Sequence, residues 1–216
     1  MSLINEVAAI IGSHYIKYNW DEILKKPPSD DSELTRKELE LIAHATRNRS
    51  PEAYDLIMKV DKDPLLIFMD FLEDKNIIVK RVEFDRYWNV MENYSYAMKY
   101  HFNRTRPYDL AKEYNIEMQT IYTDTHNTPA YPSGHAMYGY LAAEMLTEKF
   151  PQYKEDFSRL AELCGIARIL QGVHYPSDNN ASKIAVSKLY PKMKEQINEQ
   201  QGKEQKGKEF PIDFQS

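Results

Sequence analysis

The stretch EFDRYWNVMENYSYAMKYHFN, residues 83–103, decides the fold. Phe84, Tyr87, Trp88, Met91, Tyr94, Met98 and Phe102 recur at steps of three and four, the period of an α-helix with one wide apolar face. Working outward, the same grammar repeats. Ser32 stands where it can cap a run carrying Leu34, Leu39, Ile42 and Ala45. Ser50-Pro51 and Asp63-Pro64 each set a capping side chain before a proline at the first helical position. Further helices are predicted over 133–150, 155–170 and 177–199. The best strand candidate, 77–82, is too short to anchor a sheet. The fold class read from this pattern is all-α, a single helical domain over 1–199 followed by a polar tail, 200–216, that frays. Two stretches read as irregular, 19–31 and 115–132. The second is long for a structureless loop, so it is expected to be partly helical or functional.

A chain of 216 residues buries roughly 70% of its unfolded surface and sustains its own core. Seven glycines are few for an all-β chain, and one cysteine, Cys164, excludes an internal disulfide framework. A net charge of −5 argues against a nucleic-acid polymer as partner, because phosphate-backbone binding needs a basic face. The longest charge-free run, 125–143, holds prolines, histidines and hydroxyls, so no membrane insertion is expected. The N-terminus lacks the basic start and long apolar core of a signal peptide, and the location read from this is cytoplasmic.

Three clusters gather groups suited to a phosphoryl anion. Lys99 and Arg106 lie seven apart and would share a face if one helix ran through both; alone, the pair reads more readily as a solvated basic face ended by Pro107. Tyr131-Pro132-Ser133-Gly134-His135 precedes an apolar helix whose free amides favour an anion, with His135 beside it; alone, it reads as a helix cap. Arg168 and His174 bracket Gly172, placed to end a helix and turn His174 back. Asp178, four residues on, can accept a hydrogen bond from one ring nitrogen and leave the other as a nucleophile; alone, the pair reads equally as a buried His–Asp corner. Arg104 has no role by spacing and reads as solvated. Cys164 reads as core. His14, His44, His101 and His126 form no H-x3-H or HExxH pattern, so no metal site is predicted; His101 and His126 flank the motifs and are placed at the entrance. Tyr100, Tyr108, Tyr122, Tyr131 and Tyr175 are read as core rather than as pocket walls.

Taken together, K-x6-R-P at 99–107, P-S-G-H at 132–135 and R-x5-H-x3-D at 168–178 resemble the type 2 phosphatidic acid phosphatase / vanadium haloperoxidase superfamily. Pro27-Pro28-Ser29-Asp30-Asp31-Ser32 and Tyr131 are similar to the bacterial class A nonspecific acid phosphatases within it, and the likeness covers roughly 20–195. Ala167 departs from the family's usual serine, and the secretion signal of those periplasmic enzymes is not seen.

The resemblance implies a helical bundle and a metal-independent phosphatase, a phosphoric monoester hydrolase with possible phosphotransferase activity. It assigns His174 as nucleophile, forming a phosphohistidine, Asp178 as its orienting carboxylate and His135 as general acid and base. Lys99, Arg106, Arg168, Ser133 and Gly134 hold the phosphate. It implies a small phosphorylated substrate, a homodimer or larger homo-oligomer, no cofactor, and vanadate as a phosphate-site inhibitor. In the rival reading, a vanadium-dependent haloperoxidase, vanadate is instead the cofactor. A lipid phosphatase is weakened by the lack of membrane helices, and a non-enzymatic helical interaction protein by the complete motif set. Cations near both histidines are expected to lower their pKa values and favour a mildly acidic optimum.

Overall fold

The computed structural model describes the backbone of residues 18–208 and the side chains of 18–199. Residues 1–17, with His14, and positions 209–216 of the tail lie outside the described residues. Nine α-helices follow one another among them: α1 (Trp20–Ile23), α2 (Glu33–Arg47), α3 (Pro51–Lys62), α4 (Leu66–Asp74), α5 (Val82–Phe102), α6 (Pro107–Glu113), α7 (Gly134–Lys149), α8 (Lys154–Gln171) and α9 (Pro176–Lys208). No strand occurs among the described residues; 77–81 runs into the start of α5.

The caps are those the side chains allow. Ser32 Oγ accepts from the Thr35 amide at 3.2 Å, and Ser50 Oγ from Ala53 at 3.2 Å with Pro51 in the first turn. Asp63 Oδ1 accepts from the Leu65 amide at 3.0 Å, so it caps a turn and α4 begins only at Leu66. The backbone of α9 continues to Lys208, into the stretch expected to fray.

The antiparallel pair α7–α8 is the centre, with α9 and α5 against one side and α3 against the other. Met137 and Leu141 of α7 join Met91, Met98, Val186 and Leu189, while Ala142 and Leu146 join Ile57, Phe68 and Phe157. A helix buried on two faces needs apolar residues all round, which is why 134–143 carries no charge. The α7–α8 approach depends on Gly139: a Cβ there would stand 2.8 Å from both Cβ and Sγ of Cys164. Cys164 is buried, its thiol pKa pushed up by burial, in keeping with a core role. Each large apolar side chain so buried contributes about 1.5–3 kcal/mol. A third cluster, Leu39, Ile42, Leu110, Ala130 and Tyr175, ties α2 and α6 to the loop and corner that carry the functional groups.

Candidate active site

Lys99 and Arg106 do not share a helix. Asn103 adopts the left-handed conformation (φ 49°) and ends α5, and Arg106 is extended (ψ 148°) as the residue before Pro107 must be. The turn nevertheless aims both cations at the loop 115–132. Lys99 Nζ donates to the carbonyls of Pro129 (2.8 Å) and Ala130 (3.4 Å). Arg106 Nε donates to Thr128 O at 2.7 Å, and its Nη1 to Val173 O at 2.7 Å. Both side chains are buried, and among the described residues neither has a carboxylate partner. Burial and mutual repulsion lower the Lys99 pKa well below its ordinary value, and burial with the Arg168 charge lowers that of Arg106 to about 10. The long loop thus has its function in its carbonyls and hydroxyls, with one 3-10 turn at Asp124–His126.

Ser133 caps α7, its Oγ accepting from Ala136 N at 3.5 Å. Gly134 leaves the first turn open, a Cβ there meeting Ser95 Oγ at 3.2 Å. Behind it, the His135 Nε2 donates to the main-chain oxygen of Asp61 at 3.2 Å. A carbonyl only accepts, so Nε2 carries a proton and Nδ1 remains available.

Gly172 takes φ 87° and ends α8, and Val173 N donates back to Arg168 O at 3.1 Å. This left-handed close turns the chain through His174 into α9. His174 Nδ1 lies 3.0 Å from Asp178 Oδ2, and its Nε2 lies 2.9 Å from Arg106 Nη1. A guanidinium only donates, so Nε2 holds a lone pair and Nδ1 carries the proton given to Asp178. Burial first, then Arg106, Lys99 and Arg168, push the His174 pKa well down; burial and Arg168 do the same to His135. The direction matches the expectation, although burial outweighs the cations.

Lys99, Arg106, Gly134, His135 and His174 line one pocket of about 340 Å3, together with Thr125, Thr128, Tyr96 and Tyr138. Arg168 stands behind this pocket, fully buried. It is paired with Asp61 and donates to Thr125 Oγ1 at 2.9 Å. Burial pulls the Asp61 carboxyl upward, but hydrogen bonds from Thr125 and Arg168 and the Arg168 charge carry it down to about 2.

Several expectations change. Arg104 is not solvated: it is buried, it donates to Asp178 Oδ1 at 2.6 Å and Glu38 Oε2 at 3.2 Å, and it lies 3.7 Å over the Tyr175 ring. Neither His101 nor His126 reaches the pocket. His101 pairs with Asp21 at 3.3 Å on another face, and His126 is buried, accepting from Thr123 N at 2.9 Å. Tyr131 and Tyr175 are core, Tyr122 is exposed, and the pocket takes Tyr96 and Tyr138 instead. Asp61 and Glu38 carried no signal in the sequence beyond being acidic residues on helices, since their partners are 107 and 66 positions away.

Two buried cations with no carboxylate partner among the described residues, two histidines of lowered pKa and a helix start make a pocket whose chemistry suits an anion. Residues 90–187, which carry Lys99, Arg106, His135 and His174, match the PAP2 superfamily. A non-specific acid phosphatase from Salmonella typhimurium is 32% identical over 104 residues, and one from Salmonella typhi 30% over 108 residues. Each match covers 44% of this chain and 41% of the relative, so the likeness spans about two-fifths of the length of those enzymes. Among solved structures, the first transmembrane PAP2 type phosphatidylglycerolphosphate phosphatase from Bacillus subtilis superposes with a TM-score of 0.52 at 15% identity, covering 91% of this chain and 96% of that one. The likeness is one of fold. Among the described residues here, no helix is long and apolar enough to cross a membrane.

Proposed function

We propose that the chain is a phosphomonoesterase acting through a phosphohistidine on His174, with small phosphate monoesters as substrates. One observation carries this reading: His174 Nε2, its lone pair fixed by the Nδ1 hydrogen bond to Asp178, faces a pocket that also holds Lys99, Arg106 and His135. The acid phosphatases similar to part of this chain support the monoester class.

In the first step the His174 Nε2 lone pair attacks phosphorus, the bond to the ester oxygen breaks, and His135 Nδ1–H passes its proton to that oxygen. Arriving phosphate raises the lowered His135 pKa by its own charge, so the acid forms where it is used. In the second step His135 takes a proton from water, the water oxygen attacks phosphorus, and the P–N bond breaks to release phosphate. Lys99, Arg106 and the Gly134 amide meet the equatorial oxygens, and Arg168 adds its charge from behind the pocket. The Ser133 amide, expected to join them, instead donates to Asp178 O at 3.4 Å, and Ser133 does not line the pocket. An alcohol in place of water makes the same second step a phosphotransfer.

The test is release of a chromogenic alcohol from its phosphate ester in excess EDTA. Wild type is expected to turn over and His174→Ala to lose activity by at least about 1000-fold. A His174→Ala enzyme within tenfold of wild type would sink the assignment.

A further inference from the structure

Seven charged side chains are buried among the described residues outside the histidines: Lys99, Arg104, Arg106 and Arg168 against Glu38, Asp61 and Asp178. Arg168 is matched to Asp61 and the pocket cations await the substrate, which leaves Arg104 between two carboxylates. We propose that Arg104, clamped by Glu38, is a positioning residue that holds Asp178 ionised and directed at His174 Nδ1.

The geometry carries the inference. Arg104 Nη1 donates to Asp178 Oδ1 at 2.6 Å and to Ser177 Oγ at 2.7 Å, and Nη2 donates to Glu38 Oε2 at 3.2 Å. Glu38 Oε1 accepts the Ser177 amide at 2.7 Å and Oε2 the Ser177 hydroxyl at 2.7 Å. Glu38 of α2 thereby fixes the first turn of α9, the turn that bears Asp178. The guanidinium plane is set over Tyr175 at 3.7 Å, so it has little freedom to leave. With Oδ1 taken by Arg104, Asp178 presents Oδ2 to the Tyr175 amide (2.9 Å) and to His174 (3.0 Å). The relay is Glu38–Arg104–Asp178–His174, and its first two members touch no substrate.

The relay matters because Asp178 is fully buried. Burial raises its pKa to about 6 even with Arg104, Lys99 and the Tyr175 amide pulling the other way. The charged or titratable groups facing it are Arg104 from the α5–α6 turn, Lys99 from α5, Arg106 before α6, His174 beside α9, and the phenols of Tyr131 and Tyr175. Without Arg104 the carboxyl would keep its proton to higher pH. A protonated Asp178 can donate to His174 Nδ1, and the imidazole would then carry its proton on Nε2, where no lone pair is left to attack.

This inference rests on the phosphohistidine reading, and the experiment separates the two. Arg104→Met, Arg104→Lys and Glu38→Gln are compared with wild type for kcat and KM from pH 4 to 9. Arg104→Met is expected to lose about 100-fold or more in kcat at pH 5, to recover part of it as pH rises, and to keep KM within about threefold. Arg104→Lys restores part of the loss. Glu38→Gln, which leaves the whole Arg104 charge to Asp178, moves the acidic limb the opposite way, to lower pH. Limbs that move together, or an Arg104→Met loss equal at every pH, would overturn the proposal; if Arg104→Met does not fold, the Glu38→Gln limb decides. If wild type turns over no ester, the phosphatase reading fails while the relay is still judged by NMR of 15N-histidine-labelled protein. The His174 Nδ1–H proton is expected far downfield in wild type and shifted upfield in Arg104→Met, and an unchanged resonance refutes positioning.

Discussion

Asp61→Asn isolates the charge that offsets Arg168. The amide has the shape of the carboxylate and can still accept from Thr123, Thr125 and Gln171, which now meet Asp61 Oδ1 at 3.1, 2.5 and 3.3 Å. What disappears is the counter-charge of a fully buried guanidinium whose Nε already lacks a partner. Breaking such a pair costs about 3–5 kcal/mol, and the retained hydrogen bonds favour the lower end. For 216 residues the unfolding entropy is about 0.45 kcal/mol/K, so about 3 kcal/mol lowers Tm by about 7 °C. Because the folded-state Asp61 pKa is depressed, the wild-type contribution is present above about 3.8 and is lost as pH falls toward about 2. The variant therefore approaches wild-type stability in acid. Inorganic phosphate should compensate as well, since Arg168 no longer answers to a carboxylate and the anion binds more tightly. The assay is thermal unfolding at pH 7 and pH 3, with and without saturating phosphate. A variant melting within 1 °C of wild type at pH 7, with no larger phosphate shift, would refute the pairing as a source of stability.

Other outcomes follow from the same geometry. Gly139→Val is expected to destabilise by at least about 2 kcal/mol in urea unfolding, because its Cβ meets Cys164 at 2.8 Å in a packed core; Cys164→Ala in the same chain should recover part of the loss. Gly172→Ala, strained at φ 87° and within 3.0 Å of Thr120 Oγ1, should cost about 1–2 kcal/mol and lower kcat by misplacing His174. The rate profile against pH should be bell-shaped with its maximum on the acid side of 7: it rises as His174 loses its proton through a lowered pKa and falls as His135 loses its own. A rate still climbing at pH 9 contradicts those roles. Vanadate should inhibit competitively against the ester, and loss of that inhibition in Arg106→Ala, measured as a rise in the inhibition constant of at least about tenfold, checks that both anions use one pocket.

The helices were legible because their signals are local. The apolar period over 83–103, Ser32 and Ser50 as caps, and Gly172 as a stop each act within one or two turns, and each stands in the structure where the sequence placed it. The motif spacing was equally informative about which residues meet, since Lys99, Arg106, His135 and His174 line one pocket. How they meet was another matter: the pair 99 and 106 converges through a left-handed Asn103 and an extended Arg106, not along one helix.

What sequence alone determined is thus an all-helical chain and the motif residues Lys99, Arg106, His135 and His174, which line one pocket. Only the tertiary structure decided which buried charges are already spoken for. Asp61 lies 107 positions from Arg168 and Glu38 66 from Arg104, and no periodicity or cap links residues so far apart. Their pairing is set by desolvation, because a guanidinium enclosed by packed helices must find its counter-charge wherever the fold brings one near. The same enclosure leaves Lys99 and Arg106, among the described residues, with carbonyls, the Thr128 hydroxyl and the His174 ring in place of a carboxylate.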